Sequence, residues 1–198
     1  MTKDKLTDMA DRGYVFVHIP KTAGRSILSA MGVKFHCEHK TLAEYSAELG
    51  AEVCQSRFKF TVVRNPWDRA VSFYKFFYTP FVAPGLTFEE WLQKRAVALS
   101  RPGGPKKVPL DQLSYCRVDG VIAMDAMLRF ESVETEFEAV ANRFGITAKL
   151  PHVGGEMIRK RIPVETHAHY RDYYTTQWSI DFVAGLNGEL IERMSYTF

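Results

Sequence analysis

Apolar and polar positions along the chain fall into two patterns: short unbroken apolar runs, and apolar residues at helical spacing. Tyr14-Val15-Phe16-Val17-His18 is an aromatic and β-branched run that stops at Pro20, as a buried strand does. A glycine-containing loop follows, and Ser26-Ile27-Leu28-Ser29-Ala30 begins a helix. Phe58-Lys59-Phe60-Thr61-Val62-Val63 is a second strand of the same kind. Behind it Asn65 supplies a helix cap, Pro66 suits the first helical position, and Asp68 complements the dipole in the first turn. Ala70, Phe73, Tyr74 and Phe77 then recur at i, i+3, i+4 and i+7, which marks one apolar helix face. Two strand–loop–helix units of this kind predict a parallel sheet covered by helices.

Further along, Ser100 to Pro109 collects three prolines and two glycines with Lys106 and Lys107, and reads as a loop. Val118 to Phe130 holds a turn at Asp119-Gly120 and a strand at Ala126 to Phe130. Ser132 caps a helix whose Phe137, Val140, Ala141 and Phe144 face inward and which Gly145 ends. Pro151 to Pro163 is a second loop carrying Arg159, Lys160 and Arg161. The tail from Tyr170 to Phe198 reads as one or two helices and a final aromatic stretch.

Composition narrows this picture without redirecting it. A chain of 198 residues suits one domain, 1–198, with a real core. Apolar residues at 46% and charged residues at 25% are ordinary globular values, and a net charge of +3 does not suggest a nucleic-acid binder. Cys37, Cys54 and Cys116 are odd in number and widely spaced, which suits reduced thiols rather than a disulfide framework or a metal site. The charged segment from Met1 to Arg12 does not read as a signal peptide, and no apolar run reaches the ~18 residues of a membrane helix. The expectation is a soluble, cytoplasmic protein.

The loop Pro20-Lys21-Thr22-Ala23-Gly24-Arg25-Ser26 lies between a strand and a helix, where backbone N–H groups converge and the dipole attracts anions. Ala23 and Gly24 leave room for a phosphate, Lys21 brings a positive charge, and Thr22 and Ser26 bring hydroxyl donors. The magnesium-dependent Walker pattern is different, since it ends its loop on Gly-Lys-Ser/Thr and this chain has no such run. Val63-Arg64-Asn65-Pro66-Trp67-Asp68-Arg69-Ala70-Val71-Ser72-Phe73-Tyr74 repeats the strand–loop–helix arrangement. Arg64 ends its strand, at the edge where open α/β sheets bind ligands, and its planar fork suits a phosphate. Trp67 and Tyr74 read first as core aromatics and only second as platforms for a base.

These two segments carry a resemblance. His18-Ile19-Pro20-Lys21-Thr22-Ala23-Gly24-Arg25-Ser26 resembles the 5′-phosphosulfate loop of the carbohydrate-type sulfotransferases, which include the heparan sulfate 2-O- and chondroitin sulfotransferases. The segment from Arg64 to Tyr74 resembles their 3′-phosphate motif, in the same order. Leu128-Arg129-Phe130-Glu131 and the aromatic tail are similar to later parts of the family, more loosely. The resemblance implies a P-loop-like three-layer α/β sandwich with a central parallel sheet flanked by helices. It implies 3′-phosphoadenosine-5′-phosphosulfate as donor, 3′,5′-adenosine bisphosphate as product, and no metal. Lys21 and the loop from Thr22 through Ala23, Gly24 and Arg25 to Ser26 would hold the 5′-phosphosulfate, and Arg64 and Ser72 the 3′-phosphate. Arg159-Lys160-Arg161 is loosely similar to a basic segment that closes over the nucleotide in some members, but reads first as a solvated loop.

Transfer of a sulfuryl group needs an acceptor hydroxyl aligned for attack, a base for its proton, and positive charge on the leaving oxygen. Lys21 suits the last task. Histidine suits the second because its pKa lies near neutrality. His39 falls between the two motifs, where related enzymes carry a Gly-His element, although Glu38 stands here in place of that glycine. His36 is the main rival, with Glu38 and Glu44 behind it, and His18 takes a structural hydrogen bond at the end of its strand. The acceptor is expected to be a carbohydrate or a small alcohol, with no nucleic-acid polymer as partner. Two other classes stay open: a nucleotide or small-molecule kinase on a P-loop-like fold, and a non-catalytic nucleotide-binding module.

Overall fold

Three short runs whose side chains are almost wholly apolar have nowhere to go but side by side, and in the computed structural model they form one parallel sheet. The structure describes residues 5–33, 39–77, 85–100, 109–153 and 169–198. Strand β1 is Tyr14–Val17 and is buried along its whole length; β2 is Phe58–Val63. Two residue pairs, Arg117–Val118 (β3) and Val121–Ile122 (β4), make a small antiparallel hairpin, and β5 is Ala126–Arg129. The order in the main sheet is β1-β2-β5, with all neighbours parallel. Asp119 (φ 50) and Gly120 (φ 79) turn the β3–β4 hairpin, as expected for a two-residue turn with both central φ positive.

Among the described residues the helices are α1 Lys5–Asp11, α2 Gly24–Ala30, α3 Leu42–Leu49, α4 Ala51–Ser56, α5 Pro66–Phe77, α6 Phe88–Ser100, α7 Val133–Arg143, α8 Gln177–Leu186 and α9 Gly188–Met194. The protein is thus α/β, with a central parallel three-stranded sheet flanked by helices. Asn65 caps α5 as its sequence position requires, its Oδ1 accepting from the N–H groups of Trp67 (3.1 Å) and Asp68 (3.3 Å). Ser132 precedes α7, but its hydroxyl donates to Glu136 Oε1 (2.5 Å) and makes no cap hydrogen bond. Gly145 (φ 65) follows α7 in the left-handed conformation, where glycine avoids the Cβ penalty.

The chain divides into two compact units, Met1–Arg64 with Gln112–Gly154, and Asn65–Asp111 with Gly155–Phe198. The first contains the sheet. Its core is built on Val15, Phe16, Phe60 and Val62 from the strands, Ile27 and Leu28 from α2, Met9 from α1, and Phe137 and Val140 from α7. The second is a helical unit rich in aromatics, where Trp67, Phe73, Phe88, Trp91 and Tyr174 are buried together with Val183 and Leu190. Trp67 and Tyr74 behave as core residues: the indole N–H of Trp67 donates to the Ile180 carbonyl (3.0 Å), and the Tyr74 hydroxyl to that of Leu86 (2.5 Å). Cys54 and Cys116 are buried free thiols, and Cys37 lies outside the described residues. Among the described residues no helix is long and apolar enough to cross a membrane.

Candidate active site

Parallel register decides which residues meet at the carboxyl edge of the sheet. Val17 pairs with Thr61, and Val63 with Arg129, so the loop after β1, Arg64 after β2 and Phe130 after β5 leave from neighbouring strand ends. The Thr61 hydroxyl donates to the Val17 carbonyl (2.7 Å) inside the core and ties the first two strands together.

The loop between β1 and α2 is held in an unusual backbone conformation. Lys21 (φ 71) and Ala23 (φ 64, ψ 13) both occupy the left-handed region, which side-chain-bearing residues rarely adopt. Two such residues a position apart in a tight loop make the kind of concave backbone that cradles anions, and retained strain of this sort gathers at functional sites. Thr22 is fully buried, and its hydroxyl donates inward to the Ile19 carbonyl (2.8 Å). That donor is therefore used to hold the loop, and Thr22 offers a ligand its main chain. Ser26 accepts a long hydrogen bond from the Val153 N–H (3.4 Å) through Oγ, which leaves the hydroxyl hydrogen able to donate elsewhere. Gly24 is fixed by sterics: a Cβ there would lie 1.8 Å from Cδ2 of His18, so the imidazole occupies the space a side chain would need.

His18 is only 3% exposed, and its ring lies 4.6 Å from that of His39 in an edge-on arrangement. His39 Nδ1 is 3.3 Å from the His18 carbonyl. A carbonyl can only accept, so this contact puts the hydrogen on Nδ1 and, in the neutral ring, the lone pair on Nε2. The structure thus brings His39 against the residue that opens the loop. Its rivals His36 and Glu38 lie outside the described residues, as does the Arg159-Lys160-Arg161 segment; Glu44 is exposed on α3, where it completes a capping box with Thr41.

Arg64 is held from three directions. Its N–H donates to Gln112 Oε1 (3.0 Å) and its carbonyl accepts from Gln112 Nε2 (2.7 Å). Its guanidinium donates to the Lys21 carbonyl (3.2 Å) and lies 4.1 Å from the centroid of the Phe130 ring. Ser72 is half-buried on α5, in the second unit. Of the residues singled out from sequence, Lys21, Thr22, Ala23, Gly24, Arg25, Ser26, His39 and Arg64 therefore belong to one unit. Sequence reasoning missed Gln112 and Phe130. Gln112 carries no local signal, being 48 residues from its partner; Phe130 was visible as the residue after a strand, but its ring contact depends on the register. Among the described residues no cluster of three or more histidine, cysteine, aspartate or glutamate side chains is placed to hold a metal ion.

A parallel sheet with a strained, basic loop at its carboxyl edge defines an α/β protein of the phosphate-loop class. Compared with models of known families, residues 7–194 match that of the sulfotransferase family, and the chain belongs to it. Neither the curated proteins nor the solved structures gave a match. Family membership makes sulfuryl transfer to an acceptor the general chemistry of this chain.

Proposed function

We propose that the protein moves a sulfuryl group from 3′-phosphoadenosine-5′-phosphosulfate to a hydroxyl of a separate carbohydrate or small alcohol. The observation that carries this reading is the loop from Pro20 to Ser26, with its two left-handed residues and Arg64 beside it. Its donors suit the nucleotide: a lysine, two arginines (Arg25, Arg64), a serine hydroxyl and main-chain amides, which are the groups that bind sulfate and phosphate oxygens. When bound, the donor supplies an activated sulfuryl group attached to a phosphate that can leave.

In this reading the loop from Lys21 to Ser26 holds the 5′-phosphosulfate, while Arg64 and, by its motif position, Ser72 bind the 3′-phosphate. His39 accepts the acceptor's proton at Nε2 as the new sulfur–oxygen bond forms. Lys21 neutralises the charge that gathers on the bridging oxygen as the old sulfur–oxygen bond breaks. Incubation with sulfate-labelled donor and a panel of sugars and alcohols, in the presence of chelator, tests the proposal. Label should pass to at least one acceptor. Replacing Lys21 with Ala should lower turnover by the equivalent of about 2–4 kcal/mol of barrier while weakening nucleotide binding less. Transfer of phosphate from ATP without transfer of sulfate would instead make the protein a kinase.

A further inference from the structure

Arg64 enters the site through the 3′-phosphate motif, yet its guanidinium is bonded to the opposite end of the nucleotide site. The Lys21 carbonyl it contacts (3.2 Å) belongs to a residue held at φ 71, and a strained residue keeps its conformation only if its surroundings enforce it. Arg64 is itself enforced. Gln112, fully buried, pairs with both its N–H and its carbonyl, as a neighbouring strand would, and the Phe130 ring underlies the guanidinium at 4.1 Å.

We propose that Arg64 is the positioning residue of the 5′-phosphosulfate loop, holding Lys21 in its left-handed conformation, and that Gln112 and Phe130 fix Arg64 for this task. The inference rests on the reading of that loop as the 5′ site. Its consequence is coupling: a side chain recruited for the 3′-phosphate also shapes the loop that binds the other end, so losing it harms ligands that have no 3′-phosphate.

Calorimetry with 5′-AMP and 3′,5′-adenosine bisphosphate separates the two roles. Arg64→Ala should weaken 5′-AMP about tenfold, the size of one hydrogen bond from a charged donor, and weaken the bisphosphate further. Arg64→Lys can still donate to a carbonyl but cannot make the bidentate fork, so it should recover most of the 5′-AMP affinity and little of the preference for bisphosphate. Phe130→Leu, which keeps an apolar side chain at a half-buried position, should weaken 5′-AMP in the same direction by about threefold.

Trypsin supplies a readout without nucleotide, because the Lys21–Thr22 peptide is the one whose carbonyl Arg64 holds. Cleavage there, relative to cleavage after Lys59 in β2, should rise in Arg64→Ala and in Phe130→Leu, and should return toward wild type in Arg64→Lys. If the relative cleavage is unchanged and 5′-AMP binds the variants as it binds wild type, Arg64 serves the 3′-phosphate alone and the proposal is wrong. A wild-type protein that binds neither nucleotide, but whose variants open at Lys21, would sink the proposed function and leave the positioning role intact.

Discussion

Gly24 and His18 divide one small volume between them. The imidazole sits where a Cβ on Gly24 would go, at 1.8 Å from its Cδ2, and is too buried to swing aside. Gly24→Ala should therefore cost about 1–3 kcal/mol of stability by overpacking, read from urea unfolding, and should abolish the close approach of a phosphate to the loop. His18→Ala should restore tolerance of the alanine in a double variant. The same imidazole touches His39, whose Nδ1 is satisfied by the His18 carbonyl. His39→Ala is expected to reduce turnover by about 10²–10⁴-fold with nucleotide affinity nearly unchanged, and to remove the acid limb of the pH–rate profile. Full activity in that variant would move the search to His36, Glu38 and Glu44. At this scale the sequence was most legible where partners are chain neighbours, as in the loop from Pro20 to Ser26. It was least legible for pairs such as Arg64 and Gln112, because only the fold brings them together.

Among the elements, β2 shows how a strand can be anchored from its first residues. The Lys59 N–H donates to Asp125 Oδ2 (2.7 Å), and the Lys59 ammonium lies 2.8 Å from the same oxygen. Burial alone would raise the Asp125 carboxyl, but the hydrogen bonds and charge of Lys59, with help from Arg143, together hold it below the usual carboxylate range. A depressed folded-state pKa contributes stability above the unfolded value, near 4, and that contribution is lost as pH falls through the folded value. The side chain is 43% exposed, so the effect is small. Asp125→Asn should lower stability by about 0.5 kcal/mol at pH 7, and the gap from wild type should close in urea titrations as pH falls through the folded-state pKa. A gap that widened in acid would reverse the assignment.

Element boundaries tell a similar story about what the chain spells out. Strands β1 and β2 and helix α5 were plain from apolar runs and caps. Helices α3 and α6 were not expected, although each begins with the same signature: Thr41 with Glu44, and Thr87 with Glu90, make reciprocal capping bonds. Their buried apolar residues, Leu42 and Tyr45 in α3 and Phe88, Trp91 and Leu92 in α6, fall at helical spacing, but in runs short enough that the cap is the clearer signal. Helix α1, in the charged segment near the N-terminus, buries Leu6, Met9 and Ala10.

For the molecule as a whole, residues 7–194 of the family match take in segments of both compact units. A ligand that binds only the folded state shifts unfolding by mass action. At one hundred times its dissociation constant, 3′,5′-adenosine bisphosphate should add about 2.7 kcal/mol. For a chain of this size that is a rise in Tm of about 5–10 °C, against a much smaller rise with the same concentration of 5′-AMP. Equal shifts with the two nucleotides would remove the 3′-phosphate from the argument. The parallel sheet and its basic loop were legible from sequence alone, whereas the division of the chain into two units was not, because nothing in composition changes at Arg64 or at Gln112.

Those two residues mark where the chain leaves the sheet-bearing unit and where it returns, and they are joined by two hydrogen bonds across 48 positions. The excursion from Asn65 to Asp111 thus has a zipped neck. Once its ends are pinned, the entropy of closing such a loop grows only logarithmically, by about 0.6 kcal/mol for each doubling of length. Added residues between helices α5 and α6 are consequently cheap, provided Gln112 still meets Arg64. Variants with residues added there should fold around the same core.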